Sequence, residues 1–90
     1  MKLIEQLSGN GNVFKDNEDL GKVNYSLYVY QEIVEGEEGL KNVVGKIDSD
    51  KLFELFDKDN LILKLEDDRS IKFFVRNLDG DIRCSGGFFK

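Results

Sequence analysis

The stretch "LILKLEDDRSIKFFVR", residues 61–76, decides the fold. Leu61, Leu63 and Leu65 alternate with Ile62, Lys64 and Glu66, and Ile71, Phe73 and Val75 alternate with Lys72, Phe74 and Arg76. Successive side chains of a β-strand point to opposite faces, so a period of two predicts two strands around a charged turn. With the odd-numbered side chains turned inward, the even set faces outward together: Lys64, Lys72 and Arg76 around Phe74. Two registers keep that parity. One sets Lys72 opposite Glu66 as a cross-strand ion pair, with Lys64 beside Phe74 and Ile62 beside Arg76. The other sets Lys64 against Lys72, which like-charge repulsion disfavours.

The same reading extends in both directions. Upstream, "LGKVNYSLYVYQEIV" (20–34) places Val23, Tyr25, Leu27 and Val29 on one face and Asn24, Ser26, Tyr28 and Tyr30 on the other, again a strand. "KLIEQL" (2–7) is a shorter strand ending at "SGNGN" (8–12), whose glycines and asparagines predict a bend or bulge, with Val13 and Phe14 continuing beyond it. "KDNED" (15–19) and "EGEEG" (35–39) read as loops, and "LKNVVGKID" (40–48) as a third strand with a bulge or corner at Gly45.

"SDKLFELFDKDN" (49–60) breaks the alternation. Leu52, Phe53, Leu55 and Phe56 recur at helical spacing behind Ser49 as a cap and Asp50 in the positive first turn, which predicts a short helix plugging a barrel end. Downstream, Asp79-Gly80 is a two-residue hairpin signal, and "DIRCSGGFFK" (81–90) is a last strand bent by its glycine pair. The order is three strands, one short helix between strands 3 and 4, then three strands. The connections leave no room for parallel crossovers, and no proline interrupts a ladder. The expectation is a mainly β fold: one domain spanning residues 1–90, a small antiparallel six-stranded barrel, since closure removes exposed edges.

The element order resembles the OB fold with an added terminal strand. That resemblance implies a single-stranded nucleic-acid or nucleotide-binding face. Asn24-Tyr25-Ser26 is similar to the start of the Asn-x-Ser-x-x-Gly stretch of PilZ-type barrels. Val29 stands where that stretch needs glycine, and no two arginines lie four apart, so a cyclic-dinucleotide function has no support.

The 90-residue chain has no histidine, which removes Ser–His–Asp triads, Cys–His dyads and histidine metal sites. Its one cysteine, Cys84, cannot form an internal disulfide or a cysteine cluster, and on a strand it points away from its neighbour Arg83, so it reads as a small buried hydrophobe. "GNG" (9–11) lacks a third glycine and a following helix, and no Gly-Lys is followed by Ser or Thr. "NLDG" (77–80) set on the third to sixth positions of a calcium loop would put Val75 and Gly86 where carboxylates are required, and "DKDN" (57–60) reads as a helix-to-strand loop. Glu54, the acid in the most apolar context, points away from Phe53 and Leu55 on a helix and reads as exposed. No catalytic residue, metal or cofactor is expected.

Net charge is −5, so the long-range field repels nucleic acid and anionic membrane, though a local cationic patch can still form. No apolar run approaches the roughly 18 residues of a membrane span, and the interrupted N-terminal stretch does not read as a secretory signal. With the lone thiol, this places the chain in the cytoplasm. The expected activity is binding without catalysis, to another protein of the same or a different kind. Lys64, Lys72, Phe74 and Arg76 would carry it, backed by Tyr28 and Tyr30. The alternative is single-stranded nucleic acid or a nucleotide at the same positions, by stacking and phosphate contact.

Overall fold

The computed structural model describes residues 2–89. Six strands and one helix follow in order: β1 (Lys2–Lys15), β2 (Glu18–Val34), β3 (Glu37–Asp48), α1 (Leu52–Phe56), β4 (Leu61–Lys64), β5 (Ser70–Val75) and β6 (Asp81–Phe89). They close into a barrel in the order β1-β2-β3-β6-β5-β4, with β4 returning to β1 and every neighbouring pair antiparallel. The six-stranded antiparallel barrel with its helix between β3 and β4 is the expected architecture. Lys90, the last residue of the expected final strand, lies outside the described residues.

The inward phase follows the sequence pattern. Leu61, Leu63, Leu65, Ile71, Phe73 and Val75 are buried, as are Val23, Tyr25, Leu27 and Val29 of β2, and all belong to one core with Val13, Val43, Ile47, Leu55 and Ile82. At about 1.5–3 kcal/mol for each large side chain taken out of water, this core outweighs any surface ion pair, worth at most about 1 kcal/mol.

Three expectations about bends and turns change. β1 does not bend at residues 8–12; it pairs regularly with β2 from Glu5↔Val29 to Val13↔Gly21, and its irregularities fall at Leu3/Glu5 and Val13/Phe14. The glycines serve a close approach instead: a side chain on Gly11 would meet the Lys64 carbonyl oxygen at 2.4 Å, where β4 closes onto β1. The expected loops at 15–19 and 35–39 shrink to two-residue turns, with positive φ at Asp16 and Asn17 and at Glu35 and Gly36, and Lys15 pairs Glu18 while Val34 pairs Glu37. Two consecutive positive-φ residues match the strand twist, so the flanking residues remain in the ladder. The expected hairpin at Asp79-Gly80 is a four-residue turn, Asn77–Gly80. The Asn77 side-chain oxygen accepts from the Asp79 and Asp81 amides, at 3.0 and 3.3 Å, and Gly80 takes φ +93.

The β4–β5 register is neither of the two expected ones. Leu61 pairs Phe73, Ile62 pairs Lys72 and Lys64 pairs Ser70. The cause is an earlier turn, centred on Asp67: the Leu65 amide donates to the Arg69 carbonyl at 2.8 Å and Asp68 adopts φ +70, closing a three-residue loop. Glu66 therefore does not meet Lys72; its carboxylate accepts the Asn10 amide of β1 at 2.8 Å.

The helix is shorter than expected, and its apolar residues divide. Ser49 accepts the Lys51 amide at 3.0 Å, but α1 begins only at Leu52, so Asp50 precedes it. Leu55 enters the core and Leu52 packs against it, while Phe53 is 74% exposed and Phe56 is 43% exposed. The helix plugs its barrel end through one fully buried side chain. Among the described residues, β3 pairs β6 only through Val44–Lys46 and β1 pairs β4 only through Asn12–Phe14. The first three strands thus run past the barrel, and the molecule measures 42 × 25 × 21 Å.

Gly45 lies where β3 contacts both neighbours, opposite Leu27 of β2 and Ile82 of β6, without the bulge expected there. A side chain at this position would come within 2.0 Å of the Ser26 carbonyl oxygen and 2.9 Å of the Leu27 Cα, both backbone atoms that cannot swing aside. Gly45→Ala should therefore destabilise the fold by about 3 kcal/mol in chemical denaturation. Gly87→Ala, which meets nothing within 4 Å, should stay within about 0.5 kcal/mol of the parent.

Candidate interaction surface

Phe73 faces the core on β5, so its neighbours Lys72 and Phe74 face out. Lys72 and Arg76 are exposed, and Phe74 keeps 42% of its surface in solvent. Pairing then decides which residues from other strands join them. Phe74 stands opposite Arg83 of β6, Arg83 opposite Val44 of β3, and Val44 opposite Tyr28 of β2. At strand spacings of about 4.8 Å, the row Tyr28–Val44–Arg83–Phe74 crosses four strands in about 14 Å. A second row beside it holds Ser26, Lys46, Asp81 and the start of the β5–β6 connection, where the Arg76 amide donates to the Asp81 carbonyl at 2.7 Å.

Of the six residues expected at the site, this wall gathers four: Lys72, Phe74, Arg76 and Tyr28. Lys64 does not join them. It pairs Ser70, four residues (about 13 Å) along β5 from Phe74, and its ammonium lies 3.9 Å from the Asp68 carboxylate. Tyr30 is half-buried beside Leu3 and Asn42 in the part of the sheet that runs past the barrel. Arg83, Lys46 and Val44 enter the wall without having been expected there. The alternation Ile82-in, Arg83-out was readable in sequence, but which strand β6 would join was not.

Charge on the wall is mostly positive. The Lys46 ammonium sits 3.6 Å from the Asp81 carboxylate, while among the described residues Lys72, Arg76 and Arg83 have no carboxylate within 4.0 Å. The Asp81 carboxyl is held below the ordinary carboxylate range, first by the hydrogen bond from the Asn77 amide at 2.9 Å and then by the charges of Lys46 and Arg76. Asp81 stays ionised and offsets one cation, leaving an excess of three. Between Tyr28 and Arg76 the wall dips into an open groove of about 420 Å³, lined also by Ser26, Val44 and Lys46, with the Gly45 backbone at its floor.

Cys84 is half-buried against the core, and burial pushes its thiol from 9.0 up to about 12. Glu54 is exposed on α1. No helix among the described residues is long and apolar enough to cross a membrane. No family model, no curated protein and no solved structure matches the chain.

The Cys84 environment has a sign. The folded state favours the neutral thiol, so its contribution to stability is complete below about pH 9 and declines as pH rises towards 12. At neutral pH, alkylation of native Cys84 should be slow against the same chain in denaturant, and it should accelerate only as unfolding sets in. Labelling at equal rates in the two states would contradict the burial described.

Proposed function

We propose that this chain is a non-catalytic binding module that contacts another protein through the outward wall of β5, β6 and β3. The observation that carries the reading is the cross-strand row of Tyr28, Val44, Arg83 and Phe74, flanked by Lys72 and Arg76. Exposed aromatic and arginine side chains around an apolar centre are the types enriched where proteins meet. The wall rests on paired strands rather than on a mobile loop, so little ordering entropy is lost on contact. A histidine-free chain with a protonated thiol offers no histidine-activated nucleophile and no thiolate, which favours the binding reading. The same thiol suits a reducing compartment, and we assign the module to the cytoplasm.

A second reading, single-stranded nucleic acid, draws on the same cations and on Tyr28 and Phe74 as stacking platforms. The net charge of −5 opposes it, because a polyanion must approach through a repulsive field. One experiment separates the two. Phe74→p-benzoylphenylalanine keeps a ring at the centre of the wall and cross-links to whatever rests on it. In native extract the adduct should be destroyed by protease and untouched by nuclease. Adding Lys72→Glu, Arg76→Glu and Arg83→Glu should abolish it, while stability changes by no more than about 0.5 kcal/mol per position, as expected for exposed side chains. Nuclease-sensitive adducts would overturn the protein reading. So would oligothymidylate binding whose logarithm falls with log salt at a slope of about −2, as three phosphate contacts on a single strand require.

A further inference from the structure

At the helix end of the barrel, α1 leaves Phe53 and Phe56 in solvent, 74% and 43% exposed. Such exposure is costly for a ring on a short helix whose other face supplies core packing. Beside Phe53 runs an open groove of about 570 Å³, lined by Leu20 and Phe53 and rimmed by Glu18, Glu54, Asp57 and Lys58. Its lining thus combines two apolar side chains with three carboxylates and one lysine. Among the described residues, none of those three carboxylates has a cation within 4.0 Å. The β-wall is its complement in both respects: one projecting ring, Phe74, among Lys72, Arg76 and Arg83.

From this complementarity we propose that the partner of the wall is a second copy of the chain, whose α1 groove receives Phe74. The proposal rests on the reading of the wall as a protein-contact surface and names its occupant. The ring would fill the space between Leu20 and Phe53 and take its own face and that of Phe53 out of water. The three wall cations would meet Glu18, Glu54 and Asp57 across the margin. The attraction joins unlike surfaces, wall to groove, so one copy supplies the ring and the other the acids. Because the margin is ionic, the contact should weaken as salt rises, with the apolar centre persisting.

Sedimentation velocity of the full chain across concentrations tests this directly. The parent should show a mass that rises with concentration. Arg76→Glu with Arg83→Glu on the wall, and Phe53→Ser with Phe56→Ser on the helix, should each weaken self-association at least about tenfold, the equivalent of about 1.4 kcal/mol. All four positions are exposed, so both variants should retain the parent's circular dichroism. Mixing the two variants is the decisive arm. The intact groove of the wall variant fits the intact wall of the helix variant, so the mixture should recover a heterodimer and stop at two chains. A parent that stays monomeric up to about 1 mM, or a mixture that fails to associate while the parent does, overturns the proposal. If the parent is monomeric yet position 74 still cross-links to a different protein, the second-copy partner falls and the wall reading survives; if position 74 cross-links to nothing, both fall.

Discussion

The burial of Phe73 is the constraint on which the rest depends. Its ring is 1% exposed between Leu61 of β4 and Cys84 of β6, its direct cross-strand partners. Because side chains alternate along a strand, fixing that ring inward fixes Lys72 and Phe74 outward, and no local adjustment can turn one without the other. A slip by one residue would place Lys72 and Phe74 in the core and Phe73 in water. The basic-aromatic wall is thus a consequence of core packing. Exposure of Phe74 costs a little hydrophobic stabilisation, but the alternative phase would bury a lysine ammonium without a partner, which costs far more.

The glycines allow the strands to come close enough for that packing. Gly11, Gly45 and Gly80 stand where backbones approach too closely for any side chain, against β4, β2 and β3 in turn. Closure at Gly11 removes the edges that β1 and β4 would otherwise present, and the close approach at Gly45 lets β3 touch β2 and β6 at once. The cross-strand row that begins at Tyr28 and ends at Phe74 passes through β3 next to Gly45, at Val44. Barrel geometry and surface composition therefore meet within two residues.

Charge segregation explains how an acidic chain presents a cationic wall. Many of the acids lie in turns and around the helix, where solvation is complete: Asp16, Glu35, Asp57, Asp59, Asp67 and Asp68 are all exposed. Several are spent locally, Asp59 on Lys15 at 3.1 Å and Asp67 on Arg69 at 2.7 Å, while Arg69 also reaches Glu5 and stacks 4.8 Å from the centre of the Phe88 ring. The outward positions of β5, of β6 and of the connection between them hold Lys72, Arg83 and Arg76 instead. At a screening length of about 8 Å, such separated clusters keep a local sign of their own, while the net charge still sets the field that a distant polyanion meets.

Much of the barrel was legible in the sequence because period-two alternation is a local signal. The residues from Leu61 to Val75 and from Val23 to Val29 declare their inner and outer faces without reference to any other strand. The turns were less legible. Asp16-Asn17 and Glu35-Gly36 read as loops because composition reports polarity, whereas the strand-preserving backbone depends on two successive positive φ angles that the partner strands select. Register was not legible at all. Whether Lys72 meets Glu66, Lys64 or Ile62 depends on whether the turn centres on Arg69, Asp68 or Asp67, and Glu66 found its partner on β1, far away in sequence. The sequence by itself therefore determined the phase of the strands and the inventory of exposed cations and rings, since both follow from the alternation of a single chain. Only the tertiary structure decided their neighbours: it brought Arg83, Val44 and Lys46 to Phe74 and took Lys64 away, because cross-strand pairing is fixed by turns and closure that no single strand encodes.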